Sequence, residues 1–169
     1  MEYTFKSERL GFRNWKSTDV EAMAAISANP SVMEFFPSTQ SKEHVQGFIK
    51  NMQEEFNEYG FCYFAVDRLE DEQMIGFIGL HNVTFEAPFT PCVDIGWRLS
   101  PKAWGRGYAT EGAKRCLEYA FDELKLVSVK SIAPVINVKS INVMKKIGMQ
   151  EVEIFKHPLL KDDLSLIHI

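Results

Sequence analysis

The feature that most restricts this chain is a change of repeat around two glycines. From residue 93 to 99 apolar and polar residues alternate, with Val93, Ile95, Trp97 and Leu99 on one face, which is the period of a strand. From 108 to 124 the period becomes helical, and Ala109, Ala113, Cys116, Leu117, Ala120 and Phe121 share a face. Between the two runs lies SPKAWGRG, with Gly105 and Gly107 just ahead of the helix. The first turn of a helix has N–H groups without intrahelical partners, and the helix dipole adds partial positive charge there. Glycine removes the Cβ that would hold a bound group away from the backbone. The turn therefore predicts an anion site whose donors are the amides from Arg106 to Thr110; an ordinary pair of loop glycines is the competing reading.

The rest of the chain predicts one α+β domain over residues 1–169 with a mostly antiparallel sheet. Residues 9–15 alternate as a strand, and Ser17 or Thr18 caps a helix that runs to about Ala28 and is stopped by Asn29-Pro30. A second helix spans 41–59, with Val45, Phe48, Ile49, Met52 and Phe56 as its apolar stripe and Gly60 as its end. Strands at 61–66 and 74–83 form a hairpin across a charged turn. Residues 128–135, 149–155 and 164–169 read as further strands, and 138–147 as a short helix ended by Gly148. Glu111 and Arg115 have the spacing to pair on the outer side of the helix that follows the glycine turn. With 46% hydrophobic residues in 169, the chain can bury one sizeable core.

Charge and composition exclude several functions. A formal net charge of −4 provides no global basic field for nucleic acid, so any anion site is local. Cys62, Cys92 and Cys116 form no CxxC pair and read as reduced core thiols of a cytoplasmic protein, none with a basic neighbour in sequence to activate it. His44, His81, His157 and His168 show no metal-ligand spacing, so no metal is expected. The opening MEYTFKSERL lacks the apolar stretch of a signal peptide, and no uncharged run reaches membrane-spanning length, so no membrane role is expected. A P-loop would need Gly-Lys-Ser/Thr where this turn continues Gly-Tyr-Ala-Thr. A dinucleotide fingerprint would need glycine at Thr110 and alternating βαβ units.

SPKAWGRGYATEG, followed by NVKSINVMKKIGM at 137–149, resembles the two acetyl-CoA-binding motifs of the GCN5-related N-acetyltransferase (GNAT) superfamily. Within it the chain is most similar to the branch of the ribosomal-protein N-terminal acetyltransferases, which SERLGFRNW, NPSVMEFFP and His157-Pro158 also match. The likeness thus spans nearly the whole chain. It departs at Trp104, where the superfamily's first motif begins with Gln or Arg; Trp is common there in this branch. The resemblance implies a mixed, mostly antiparallel twisted sheet flanked by about four helices, with central strands splayed to admit the pantetheine arm of acetyl-CoA. The pyrophosphate of that cosubstrate would be the anion at the turn. The implied coenzyme contacts are the strand groups of Trp97, Arg98 and Leu99, then Trp104, Gly105, Arg106, Gly107, Tyr108, Ala109 and Thr110, and finally Asn137, Asn142 and Lys145. On charge patterning alone Lys145 is a solvated lysine of a helix face. Gly96, in mid-strand, points either to a bulge or close backbone approach that suits the arm, or to a gap opposite a large side chain.

Acetyl transfer to a primary amine needs a base to free the amine of its proton and a group to stabilise the departing thiolate. Asp94, on the strand face opposite Val93, Ile95 and Trp97, is the first candidate base; a surface carboxylate or the partner of a neighbouring arginine is its other reading. Glu34, in the loop expected to line the acceptor side, is the second, and Phe35, Phe36 and Phe85 are expected to wall that side. For the thiolate the resemblance points to Ser140, although Asn137 and Ser140 also have the spacing of a helix N-cap and its N3 partner. Attack is expected to be direct, in a ternary complex, with no covalent enzyme intermediate. The acceptor would be a small-molecule amine or a protein N-terminus, and the protein a monomer or homodimer. A non-catalytic acyl-CoA-binding sensor would carry the same turn.

Overall fold

Five strands stand side by side in the order in which they occur in the chain, each antiparallel to the next. They are β1 (Phe5–Lys6), β2 (Leu10–Arg13), β3 (Tyr63–Arg68), β4 (Gln73–Val83) and β5 (Cys92–Leu99). A second, smaller sheet has the order β6-β8-β7, from β6 (Ile132–Pro134), β7 (Glu153–Lys156) and β8 (Ser165–His168). Among the described residues four α-helices accompany them: α1 (Val20–Ser27), α2 (Lys42–Tyr59), α3 (Tyr108–Glu118) and α4 (Val138–Lys146). This computed structural model describes residues 2–156 and 165–168. His157 and Pro158 therefore lie outside the described residues.

The first helix begins later than expected, because Ser17 and Thr18 lie in a 3-10 turn and neither side chain caps α1, whereas local chemistry sets both ends of α2. Ser41 Oγ accepts the His44 N–H at 3.2 Å to open α2, and Gly60, at φ 78°, closes it in the left-handed conformation that glycine adopts without strain. The α2 stripe buries Val45, Ile49 and Met52. On the other face of the sheet α3 lies close, because Gly112 presents no side chain to Ile78, Leu10 and Phe12. The centre of the core is Leu10, Phe12, Phe64, Ile78, Leu80 and Ile95, all at 1% exposure or less.

Several expectations change in detail. β1 was not anticipated, and β3 runs two residues past the expected end, which shortens the charged turn. The helix after the glycine turn is α-helical only to Glu118 and then widens into a π-type turn over Tyr119–Glu123. The strand expected at 128–135 narrows to three residues, preceded by a single parallel bridge between Asp94 and Lys130. Glu111 does not pair with Arg115. It accepts from the Ser7 hydroxyl and the Arg9 backbone, and its ion pair with Arg9 is 2.6 Å long, while Arg115 reaches Glu123 at 3.2 Å. The partner 102 positions away wins because it arrives with a backbone N–H and a neighbouring hydroxyl, which the i+4 arginine cannot bring.

One buried ionic cluster ties the sheet to α1. Arg13 donates to Asp67 at 2.6 and 2.8 Å and to Asp19 at 2.8 and 2.9 Å, and all three residues are buried. Removing the guanidinium leaves two desolvated carboxylates without a counter-charge. Arg13→Met is expected to cost about 3–5 kcal/mol of unfolding free energy, read by urea denaturation at neutral pH. A loss below about 1 kcal/mol would contradict this account of the cluster.

Candidate active site

The two sheets meet at one place and then part. Ile95 N–H donates to the Lys130 carbonyl at 2.7 Å, Lys130 N–H to the Val93 carbonyl at 2.9 Å, and Ser131 Oγ to the Ile95 carbonyl at 3.0 Å. Beyond this pin, among the described residues, no ladder joins β5 to β6. Strand alternation turns the N–H and C=O of Trp97 to the same edge as those of Val93 and Ile95, so they face the opening. The result is a continuous cleft of about 950 Å³. One wall is β5, another is 131–134 with α4, and the glycine turn closes one end.

At that end Gly105 and Gly107 have φ of 70° and 80°, and Gly107 is the N-cap of α3 with no side chain closing the cap. Glu111 N–H is the first helical donor to find its partner, the Gly107 carbonyl at 3.0 Å. The amides just before it have no intrahelical partner. A Cβ at Gly105 would meet nothing, and one at Gly107 only the tip of Arg9, so the surface over these amides is open. Arg9 braces the turn by donating to the Arg106 carbonyl at 3.0 Å, its guanidinium 4.6 Å from the centre of the Tyr108 ring. The Trp104 indole N–H donates to the Leu99 carbonyl at 2.9 Å, and Lys139 of α4 stands 5.1 Å over its ring. Trp104 thus holds the turn against the end of β5.

On the α4 side Asn137 Oδ1 accepts the Ser140 N–H at 3.1 Å, which is the capping geometry anticipated for this pair. Ser140 also lines the cleft, so capping occupies its amide and leaves the hydroxyl for other work. Across from α4, Asp94 is buried and accepts from the Tyr63 hydroxyl at 2.7 Å. The mid-strand glycine explains how Tyr63 gets there. A Cβ on Gly96 would crowd that ring at 3.0 Å, and β5 keeps unbroken register from Cys92 to Leu99, so Gly96 marks a gap opposite a large side chain and not a bulge. His81, paired with Asp94 across the ladder, shares a 2.7 Å hydrogen bond with the buried Glu55.

Electrostatics follow from this burial. Loss of water pushes the Asp94 carboxyl up to about 6; the Tyr63 hydrogen bond and His81 pull it down, and Glu55 adds to the rise. Burial, reinforced by the charge and hydrogen bond of Asp94, drives the Tyr63 phenol well above its ordinary value, so it remains a donor. Burial works against the His81 imidazolium, but Glu55 outweighs it and raises the pKa. Burial also raises the thiols of Cys62 and Cys116, which suits inert core residues.

The cleft brings together most of the sequence-predicted residues: Glu34, Asp94, Trp97, Arg98, Leu99, Trp104, Gly105, Gly107, Tyr108, Ala109, Thr110, Asn137 and Ser140 line it, with Phe35, Phe36 and Phe85. Arg106, Asn142 and Lys145 are exposed and are not among its lining residues; the Arg106 carbonyl accepts from Arg9. Asp94 shows neither a surface position nor an arginine partner. The Arg98 side chain leaves β5 on the Asp94 face, towards Ser27 and Gln40. Sequence reasoning missed Tyr63, Ser131 and Lys146 in the lining, and the Glu55–His81 pair behind it. Alternation puts Tyr63 on a definite face of its strand, but only the cross-strand register sets it over Gly96.

Residues 9–150 match the sequence model of the acetyltransferase (GNAT) domain, and the chain belongs to that family. Across 151 residues it is 28% identical to an uncharacterized N-acetyltransferase of Bacillus subtilis, YnaD, with 89% of this chain and 84% of that protein covered. An acetyltransferase of the GNAT family from Bacillus anthracis has the same fold, with a TM-score of 0.81 and 27% identity over 96% of this chain and 94% of its own. A spermidine N-acetyltransferase from Vibrio cholerae, solved with CoA and spermine, shares the fold at 16% identity and a TM-score of 0.75, over 95% and 93% of the two chains. The protein is an acyl-CoA-dependent N-acetyltransferase.

Gly107→Asp tests the turn, because a carboxylate there repels a bound phosphate, while a side chain at φ 80° costs only about 1–2 kcal/mol and Asp is among the residues that bear that conformation best. The variant is expected to keep its melting temperature within a few degrees and to bind acetyl-CoA at least roughly tenfold more weakly by calorimetry. Wild-type affinity would remove the turn from the site.

Proposed function

We propose that the protein transfers the acetyl group of acetyl-CoA to a primary amine by direct attack in a ternary complex. The observation that carries this reading is a buried carboxylate with a raised pKa, Asp94, in the same cleft as the open amides of the glycine turn. The residues present suit the coenzyme. The unpartnered amides before Glu111 and the absence of Cβ atoms at Gly105 and Gly107 fit a pyrophosphate, and the free edge of β5 at Trp97 fits an amide-bearing arm. When bound, acetyl-CoA supplies the thioester that is cleaved.

Asp94 accepts the proton that the amine must lose, directly or through water, and Tyr63 holds the carboxylate in place by its hydrogen bond. Ser140, on the opposite wall, donates its hydroxyl hydrogen bond to the sulfur as the C–S bond breaks and negative charge gathers there. The amine nitrogen gains the acetyl carbon, the sulfur leaves with the bonding electrons, and the two protons released or needed pass through these groups or water. Glu34 is exposed at the mouth of the acceptor side and takes the second place as base. Both buried cysteines have raised pKa values, which supports transfer without an acetyl-cysteine intermediate. The acceptor is a small-molecule amine or a protein N-terminus, as in the ribosomal-protein branch that the sequence resembles, and the cytoplasm is the compartment that suits three free thiols.

Asp94→Asn is expected to lower turnover roughly a hundred- to ten-thousandfold while leaving acetyl-CoA affinity intact. In the wild type, turnover should fall as pH drops through about 6, because only the carboxylate accepts a proton. The stability sign is the opposite. A folded pKa above the unfolded one means that protonation favours the folded state, a gain present at low pH and lost as pH rises through about 6. The asparagine variant escapes that loss and should melt no lower than the wild type at pH 8. Unchanged turnover, or an acid limb that persists in the variant, would remove Asp94 as the base.

Ser140→Ala is expected to lower turnover on the order of ten- to a thousandfold with coenzyme affinity nearly unchanged, since the Asn137 cap uses only the Ser140 amide. Lower melting with unchanged turnover would leave Ser140 a helix-start residue.

A further inference from the structure

The acceptor side of the cleft contains a cation without an anion. Arg98 follows Asp94 by four residues on β5, so both side chains leave the same face of the strand. Its Nη1 donates to Ser27 Oγ at 3.2 Å and to Gln40 Oε1 at 2.8 Å, both neutral groups. Its guanidinium lies 4.5 Å from the centre of the Phe36 ring and 5.4 Å from that of Phe77. Its Nε is buried with no hydrogen-bond partner, and among the described residues no carboxylate forms an ion pair with it. Arg13 shows what this fold does with a buried arginine whose role is structural: it supplies two carboxylates. Arg98 is given aromatic rings and neutral acceptors, and burial lowers its pKa to about 10.

A desolvated guanidinium that borders a cleft is complementary to an anion, and its planar fork matches a carboxylate best. The coenzyme's phosphates do not fill this role in the proposed arrangement, because they go to the amides of the glycine turn. Between Arg98 and Asp94 the surface is aromatic: Phe77 stacks on Tyr63 with ring centres 5.0 Å apart, and the Tyr63 hydroxyl reaches Asp94. Phe36 covers the arginine from the loop that also brings Phe35 and Glu34 into the lining.

We propose that Arg98 receives a carboxylate of the amine acceptor, so that the preferred substrate is a small primary amine that carries a carboxylate on an apolar body. The proposal rests on the acetyl-transfer reading above. Asp94 faces the amine and Arg98 the carboxylate, so the charges of the site mirror those of a zwitterion. The apolar body lies along the aromatic surface between them. The backbone positions of the two residues are about 13 Å apart at the rise of a strand, so several bonds separate the two ends of the acceptor. A polyamine would set a second cation against Arg98 and is disfavoured.

The test is equilibrium binding with the enzyme saturated by coenzyme A, where no acetyl group is present and no chemistry occurs. 6-Aminohexanoate and 4-(aminomethyl)benzoate are titrated by calorimetry beside their carboxamides and beside spermidine. At least one carboxylate is expected to bind roughly ten- to a hundredfold more tightly than its carboxamide. Arg98→Gln is expected to abolish that difference by weakening the carboxylate alone, and Arg98→Lys to keep only part of it. Melting temperature and coenzyme A affinity verify that each variant is folded, and the lysine variant decides the matter if the glutamine one is not. Equal affinity within both pairs, no detectable binding of either, tighter binding of spermidine, or a preference that survives in the folded variants would overturn the proposal. Turnover with acetyl-CoA separates it from the reading beneath. Carboxylate-selective binding without acetylation contradicts transfer and leaves Arg98 its role; equal acetylation of acids and amides does the reverse.

Discussion

Everything that this protein can do in its cleft depends on where β5 loses its partner. Two backbone hydrogen bonds at Lys130 and one from Ser131 hold the strands together at Val93–Ile95, and beyond that point the two sheets diverge. A ladder continued past Ile95 would satisfy the backbone of Trp97 and close the cleft. Ended there, it leaves an unpaired strand edge inside the protein, which is costly unless something else supplies the hydrogen bonds. The short β6 and its Pro134, which has no N–H to give, keep the second sheet from restoring that ladder.

The fold treats its buried charges in two ways, and in the proposed reading the difference marks the working surface. Arg13, Asp19 and Asp67 compensate one another and fasten β2 and β3 to the start of α1. Asp94 and Arg98 are not compensated in this manner: the first has a phenol for a partner, the second a hydroxyl and an amide. Uncompensated groups hold their desolvation energy until a ligand of opposite charge or a proton arrives, which is why perturbed groups gather at sites of chemistry. Tyr63 links the two, packing on Phe77 beneath Arg98 and donating to Asp94, and Gly96 supplies the room it needs.

Much of this was legible in the sequence, for identifiable reasons. The glycine turn, the α3 stripe as far as Ala120 and the Asn137–Ser140 cap are local patterns, each written within a few residues, and they stand where the repeats placed them, whereas Phe121, past the end of the α-helix, is exposed. The alternation of β5 put Asp94 and Arg98 on one face, although the resemblance had grouped Arg98 with the coenzyme contacts by its backbone. What escaped depends on partners distant in the chain. Glu111 is drawn to Arg9 and not to Arg115 because β1 and β2 bring a hydroxyl and an amide beside it, and no spacing rule contains that information. The buried triad of Arg13, the Tyr63–Asp94 bond and the Glu55–His81 pair likewise exist only through register and helix packing. The short β6 was overestimated because a run of apolar residues states a preference for strand and not whether a neighbour is there to pair with it.

The central claim is that the gap between β5 and the 131–134 segment, with the amides ahead of Glu111, holds the acyl-CoA. A crystal structure of the complex with coenzyme A measures this most directly. The account expects the pyrophosphate within hydrogen-bond distance of the amides of Gly107 to Thr110, and the pantetheine arm paired with the backbone of Trp97, its sulfur directed towards the space between Asp94 and Ser140. Coenzyme bound elsewhere, or a β5 edge closed by β6 with the coenzyme outside it, would contradict the claim.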